Sequence, residues 1–399
     1  MTAPSEIRGA RRLGFTLVLF SAMGASTYTA ASLAVVATFI IDDLGIGRAQ
    51  FGLVIAANAL LAALLSPVSG PIADRVGGKR AVIAVFAAAA VSYLALGLAA
   101  AFWMLFIGSF FGAWSMSGTN PATNKLIAED LPQGERGVIT GIKQSGVQAA
   151  IFLGGLALPS MAIAFGWRAS YLMLATIPVL LALFAAWVVP ASEPGAVSVR
   201  VSARAPLPSA IRWLGVYGLL LGFAGAVSYL VPLFGEEELG LDPRAAGAAA
   251  ALTGLAAFAA RIGWARAAEI WSNYRGPLFA MAVLAVVAAI AMMAAPTAGV
   301  WLLFVGALLI GISSSAWNSV GMLAVMDEAG AAATGRASGV VLLGFLAGLG
   351  IGPPIYGAIV DNIGYGVMWA VSLAAAAAAV VLMIVWHASL NRSERLRAS

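Results

Sequence analysis

Two side chains stand out for where they lie. Lys143 sits in the apolar run IKQSGVQAAIFLGGLALPSMAIAF and Arg261 in AAGAAAALTGLAAFAARIGWA. A charge inside such a run costs on the order of 3 kcal/mol or more in a membrane, so it normally faces a cavity or a partner. None of the 17 acidic residues falls within an apolar run; all lie in connecting segments or at run ends. Neither cation therefore has an internal counter-ion, and an anionic solute would supply one. Lysine offers a compact point charge, and arginine a planar fork that matches a carboxylate or a similar oxyanion. The structural alternative is that both reach to the nearby membrane surface, since long basic side chains can bury their stems and keep their heads in water.

The composition says what else the chain can do. Of 399 residues, 62% are apolar and 10% charged, against about 25% charged in soluble domains, and the mean hydropathy is +0.96. This excludes a soluble enzyme, a disordered regulator and a nucleic-acid binder. There is no cysteine and a single histidine, His387, which removes thiolate chemistry, disulfides and a histidine-rich metal site. No phosphate-binding motif is present, so ATP does not drive the protein. An intramembrane protease would need paired membrane aspartates, a serine–histidine pair or a zinc motif, and none is found. No cofactor and no metal are expected.

A membrane-crossing helix needs about 20 mostly apolar residues. Twelve stretches qualify, at 14–41, 50–70, 80–101, 103–125, 137–163, 167–189, 212–235, 245–265, 276–297, 299–326, 334–360 and 364–388. The first is read as a retained span, being too long for a signal peptide. The fold class is thus all-α and polytopic. Cytoplasmic segments carry the excess of basic residues. With both termini cytoplasmic, seventeen Lys and Arg fall inside and only Arg48, Arg168 and Arg244 outside. Interface belts are expected from Trp103, Trp167, Trp301 and Trp369 at outer ends, and from Trp187, Trp213, Trp271 and Trp386 at inner ends.

The segment PASEPGAVSVRVSARAPLPSA (190–211) reads as a linker between two six-helix bundles, 1–189 and 212–399. The halves look related. FGAWSMSGTN in span four answers IGISSSAWNS in span ten. Each leads through an acidic pair (Glu129–Asp130, Asp327–Glu328) to an arginine (Arg136, Arg336). Spans five and eleven carry small-residue ladders, Gly137/Gly141/Ser145/Ala149 and Gly344/Gly348/Gly352, which let backbones approach closely. Such repeats mark transporters, whose site lies between the halves near mid-membrane.

Between spans two and three stands GPIADRVGGKR (70–80). With Gly70, Asp74, Arg75, Gly77, Lys79 and Arg80 it resembles the signature loop of the major facilitator superfamily, and the resemblance covers the whole chain. It implies two pseudo-symmetric six-helix bundles, a rocker-switch alternating-access cycle, and a conformational latch formed by this loop. The matching loop of the second half, RIGWARAAEIWSNYRGP (261–277), has decayed. The segment NPATNKLIAEDLPQGERGVITGIKQSGVQAA resembles the cyanate-permease-like branch, and an arginine in span eight resembles the oxalate/formate and monocarboxylate branches. Both imply anions. The Gly-Pro pair of the drug/proton antiporters is missing from span five.

In this family spans one, four, seven and ten line the path, with two, five, eight and eleven beside them. That adds Tyr28, Asn58, Trp114, Asn120, Gln144, Gln148, Tyr229, Trp317 and Asn318 to Lys143 and Arg261 as candidate substrate contacts, Trp114 and Trp317 forming a possible sandwich. The reading is a monomeric secondary transporter of the cytoplasmic (inner) membrane, not an enzyme, moving an organic carboxylate or small oxyanion. Protons or a counter-substrate are open as coupling partners. The alternative is an exporter of drug-like or apolar compounds.

Overall fold

The computed structural model describes residues 10–190, 207–270 and 273–398, and among these there are helices and turns but no strand. Most of the expected linker, 191–206, lies outside the described residues. In the first half, α1 (Ala10–Val35) and α2 (Ala37–Leu44) make up span one, followed by α3 (Arg48–Val76), α4 (Gly78–Gly97), α5 (Phe102–Asp130), α6 (Gln133–Phe165) and α7 (Trp167–Val188). In the second half, α8 (Ser209–Gly225), a 3-10 turn (Ala226–Leu230) and α9 (Val231–Glu237) form span seven. Then come α10 (Pro243–Ile270), α11 (Arg275–Ala298), α12 (Trp301–Ile312), α13 (Asn318–Asn362) and α14 (Tyr365–Ala398).

Ten described helical segments are long and apolar enough to cross a membrane. The shortfall from twelve has two sources. One is α5, whose Ser109, Ser115, Ser117, Thr119, Asn120, Thr123 and Asn124 dilute its hydropathy. The other is span ten, which breaks at 313–317 between α12 and α13. The α13 segment cannot be straight. Trp317 packs on Phe345 with ring centroids 5.1 Å apart, whereas 28 residues of straight helix would separate them by about 42 Å. The segment therefore doubles back between the expected spans ten and eleven.

The chain divides into two compact units, Met1–Ile46 with Leu53–Val199, and Gly47–Gly52 with Arg200–Ser399. Within the first unit α1 packs on α6, and α4 on α5 and α7; within the second α8 packs on α13, and α11 on α12 and α14. The same span pairs are used in both. Gly47–Gly52 groups with the second unit because Arg48 is clasped there. Its guanidinium makes a two-point bond to Glu237 (2.8 and 2.8 Å) and reaches Asp361 (3.3 Å), while Asp361 also accepts from the backbone N–H groups of Arg48 and Ala49.

Glycine sets the closest approaches. A Cβ on Gly348 would lie 2.2 Å from the Leu219 carbonyl oxygen, and one on Gly344 2.4 Å from that of Gly215, so the ladder of span eleven lies directly on α8. In span five the ladder differs from the expected one. Gly141 faces open space, and the contact with α1 is made by Gly146, where a Cβ would meet the Phe20 carbonyl at 2.0 Å, with Ala150 and Gly154 following at helical spacing. Hydroxyls tie other pairs by donating to backbone carbonyls: Ser92 to Gly108, Ser115 to Val85 and Tyr93 to Ala25 in the first unit, Tyr217 to Leu278 and Tyr356 to Phe223 in the second. The tryptophan belts are only partly what the sequence implies. Trp103, Trp187 and Trp301 are exposed, but Trp167, Trp369 and Trp386 are buried, Trp386 stacked on Trp213.

Larger residues should therefore fail at the contact glycines and be harmless at the open one. Gly146→Leu and Gly348→Leu are expected to cost at least the 1–3 kcal/mol typical of overpacking. Gly141→Ala should be neutral or stabilising, because alanine is the better helix former. Thermal melts of the three purified variants check this.

Candidate substrate-binding site

The polar centre of the first unit lies where α5 faces α6. Lys143, on α6, is 0% exposed. Its Nζ donates to Asn124 Oδ1 (2.6 Å), Thr123 Oγ1 (3.0 Å) and Asn120 Oδ1 (3.2 Å), all on α5. Gln144 Nε2 donates to the same Asn120 oxygen at 3.2 Å. No carboxylate pairs with Lys143 among the described residues. The sequence points to Lys143, Asn120 and Gln144 and the structure brings them together. Asn124 and Thr123 were missed, although Asn120 and Asn124 stand four residues apart, the spacing that puts two side chains on one helix face. Gln148 is buried one turn further along α6. Tyr28 lies over Gly154, and its buried hydroxyl has no hydrogen-bond partner among the described residues.

Three expected contacts have partners within their own units. Asn58 is 2% exposed and its Nδ2 donates to the Ser109 carbonyl at 3.1 Å, while Ser109 Oγ donates to the Val54 carbonyl at 3.0 Å. It is a clasp between α3 and α5, fixed because a polar amide in an apolar bundle must find a backbone partner. Trp114 lines an apolar groove of about 390 Å³ with Ala87, Ala88, Val91, Phe110 and Phe111, turned toward α4. Trp317 is fully buried in the core of the second unit against Tyr217 and Phe345. Its indole packs against these two rings, and its Nε1 has no hydrogen-bond partner among the described residues.

In the second unit the polar features gather where helices break. Span ten loses its helix at 313–317 and span seven passes through the 3-10 turn that carries Tyr229. The breaks adjoin: a Cβ on Gly225 would lie 2.8 Å from the Ser314 side chain. A broken helix frees carbonyls that must be capped. Arg261 Nη2 donates to the Ser315 carbonyl at 3.2 Å, and Trp264 Nε1 to that of Ile312 at 2.8 Å, both from α10. Arg261 thus has a capping role that its sequence context does not reveal. Its Nε is buried without a partner among the described residues, as is Oδ1 of Asn318.

In the signature loop Gly77 adopts φ 86°, a conformation glycine alone enters cheaply, and it joins α3 to α4. A Cβ on Gly70 would meet open space. Arg75 and Arg80 are exposed and Lys79 half-buried. Asp74 pairs with Lys125 at 3.5 Å, and Lys125 also pairs with Glu129 at 3.4 Å and donates to the Asp74 carbonyl. Beside this cluster, at the end of α5, burial and the neighbouring Glu129 push Asp130 up to about 6, against a smaller opposing pull from Arg11.

Residues 15–341 and 214–397 match the Major Facilitator Superfamily. The chain belongs to that superfamily. It is 30% identical over 153 residues to a multi-drug resistance efflux pump, PmrA, of Streptococcus pneumoniae, covering 36% of this chain and 38% of that one. It is 30% identical over 226 residues to a probable nitrate/nitrite transporter, NarK2, of Mycobacterium tuberculosis, covering 55% and 57%. The chain thus matches less than two thirds of the length of these curated relatives. Its fold is similar, with a TM-score of 0.77 and 18% identity over 97% of this chain and 98% of the other, to the crystal structure of a bacterial homologue of the human lysosomal transporter Spinster.

Two outcomes follow. Trp264→Phe removes one cap and leaves the Ile312 carbonyl without its indole donor, a loss of about 1–3 kcal/mol for a buried acceptor. Amide exchange at 313–317 should accelerate, read by mass spectrometry. Asp130 binds its proton more tightly in the folded state than unfolded, so the fold loses stability as pH rises from about 4 to about 6 and levels off above. Asp130→Asn should flatten that part of the melting-temperature profile.

Proposed function

We propose that this protein is a secondary transporter that moves a small anionic solute, an organic carboxylate or small oxyanion, across the cytoplasmic (inner) membrane by alternating access. The observation that carries the reading is Lys143, a fully buried ammonium held only by neutral oxygens. A buried cation without a paired carboxylate is electrostatically costly, and a transported anion offsets that cost at the moment of binding. Arg261, whose Nε has no partner among the described residues, places a cation in the second unit as well. The relation to a probable nitrate/nitrite transporter supports an anion as cargo. We place both termini in the cytoplasm on the distribution of basic residues, and we take the monomer as the working unit. The driving force is the gradient of the solute itself, of protons or of a counter-substrate.

A second reading, export of drug-like compounds, draws on the similarity to PmrA and on the apolar groove beside Trp114. The two separate in one experiment. Proteoliposomes containing the purified protein should take up labelled nitrate, formate or a larger monocarboxylate, and Lys143→Ala should lower the rate at least tenfold. Transport of a lipophilic cation such as ethidium, equal in wild type and Lys143→Ala, with no anion flux, would instead establish the exporter.

A further inference from the structure

The ammonium of Lys143 has three N–H bonds and three acceptors, at 2.6, 3.0 and 3.2 Å. It has no donor left for a substrate. Two of the acceptors, Asn120 and Asn124, are exposed residues one turn apart on α5, while Lys143 beneath them is 0% exposed. An asparagine facing a group that can only donate must present its Oδ1 to it. Each amide NH2 is then turned away from the lysine. Asn120 is held in this orientation twice over, because Gln144 Nε2 donates to the same oxygen. The surface of this centre is a pair of amide donors with a positive charge behind them.

We propose that Asn120 and Asn124 are the residues that touch the anion, and that Lys143 acts through them as a buried positioning charge. The argument rests on the anion reading above and extends it to the charge of the cargo. The centre holds one positive charge and its other polar members are neutral. The nearby Lys125 is already engaged by Asp74 and Glu129. A monoanion leaves the centre neutral, whereas a dianion leaves one negative charge uncompensated. Two amide NH2 groups ask for acceptor oxygens, so the class is a monovalent anion bearing at least two oxygens, such as nitrate or a monocarboxylate, favoured over sulfate and oxalate.

The test uses the full-length protein in proteoliposomes and in detergent, with nitrate and formate as monoanion probes and sulfate and oxalate as dianions. Wild type should bind the monoanions at least tenfold more tightly than the dianions. A hydrogen bond to a charged group is worth about 1.5–3 kcal/mol, so Asn120→Ala and Asn124→Ala should each weaken monoanion binding by roughly 10- to 100-fold. Asn124→Asp places a carboxylate on Lys143 and should abolish anion binding while leaving the thermal melt unchanged or raised. That pairing separates loss of the site from loss of the fold, and Asn124→Ser gives a second folded variant with a donor of different reach and an altered nitrate-to-formate preference. If Lys143→Ala abolishes binding while both alanine variants and Asn124→Asp bind nitrate as wild type does, the inference is overturned and the anion reading stands. Equal affinity for nitrate and sulfate would overturn the monoanion assignment alone. Wild-type protein that binds none of the four anions would remove both readings.

Discussion

Hydrocarbon has no hydrogen bonds to offer, and much of this structure answers that single fact. Every backbone group in a membrane span must be satisfied from within the protein. The straight stretches do this by being helices. Where two helices cross, the driving force is contact between backbones, because lipid tails are as apolar as leucine. The glycines at 146, 344 and 348 allow that contact, and serine, threonine and tyrosine hydroxyls add donors across the seams. Where a helix breaks, at 313–317, side chains from α10 take over the freed carbonyls.

The same constraint explains how charge is distributed. Most ionisable groups stand at helix ends, many of them paired: Arg48 with Glu237 and Asp361, Lys125 with Asp74 and Glu129, Arg168 with Asp43. Lys143 departs from this, being buried and supported only by amide and hydroxyl oxygens. Such support satisfies its hydrogen bonds but not its charge. The two kinds of satisfaction differ: neutral oxygens can meet a hydrogen bond, but only an opposite charge neutralises an ammonium.

The fold was readable in the residues because its determinants are long-range averages. Twenty apolar residues in a row mean a span whatever their order, and the basic residues that separate them mark the loops. The motif at 70–80 added connectivity. The candidate site was legible at Lys143 and at its neutral neighbours Asn120 and Gln144. For other neutral polar side chains the sequence did not say which partner each would take. Asn58 and Asn120 look alike in sequence, yet one is spent on the Ser109 carbonyl and the other faces Lys143. Trp114 and Trp317 occupy related places in the two halves, but rotation of each helix about its axis decides which face a side chain takes. The ladder of span five lies one position from the expected one for the same reason, since a shift of one residue turns a helix by about 100 degrees. The role of Arg261 as a cap depends on a break in another helix, which no local pattern around residue 261 encodes.

The capped break in span ten has a mechanical consequence. A joint whose free carbonyls are held by solvent can flex alone. Here they are held by Arg261 and Trp264, which stand three residues apart on one face of α10. The joint has lost its independent degree of freedom. Any hinge motion at 313–317 must carry α10 with it or break two bonds at once. Two side chains of span eight thus tie the break in span ten to a neighbouring helix.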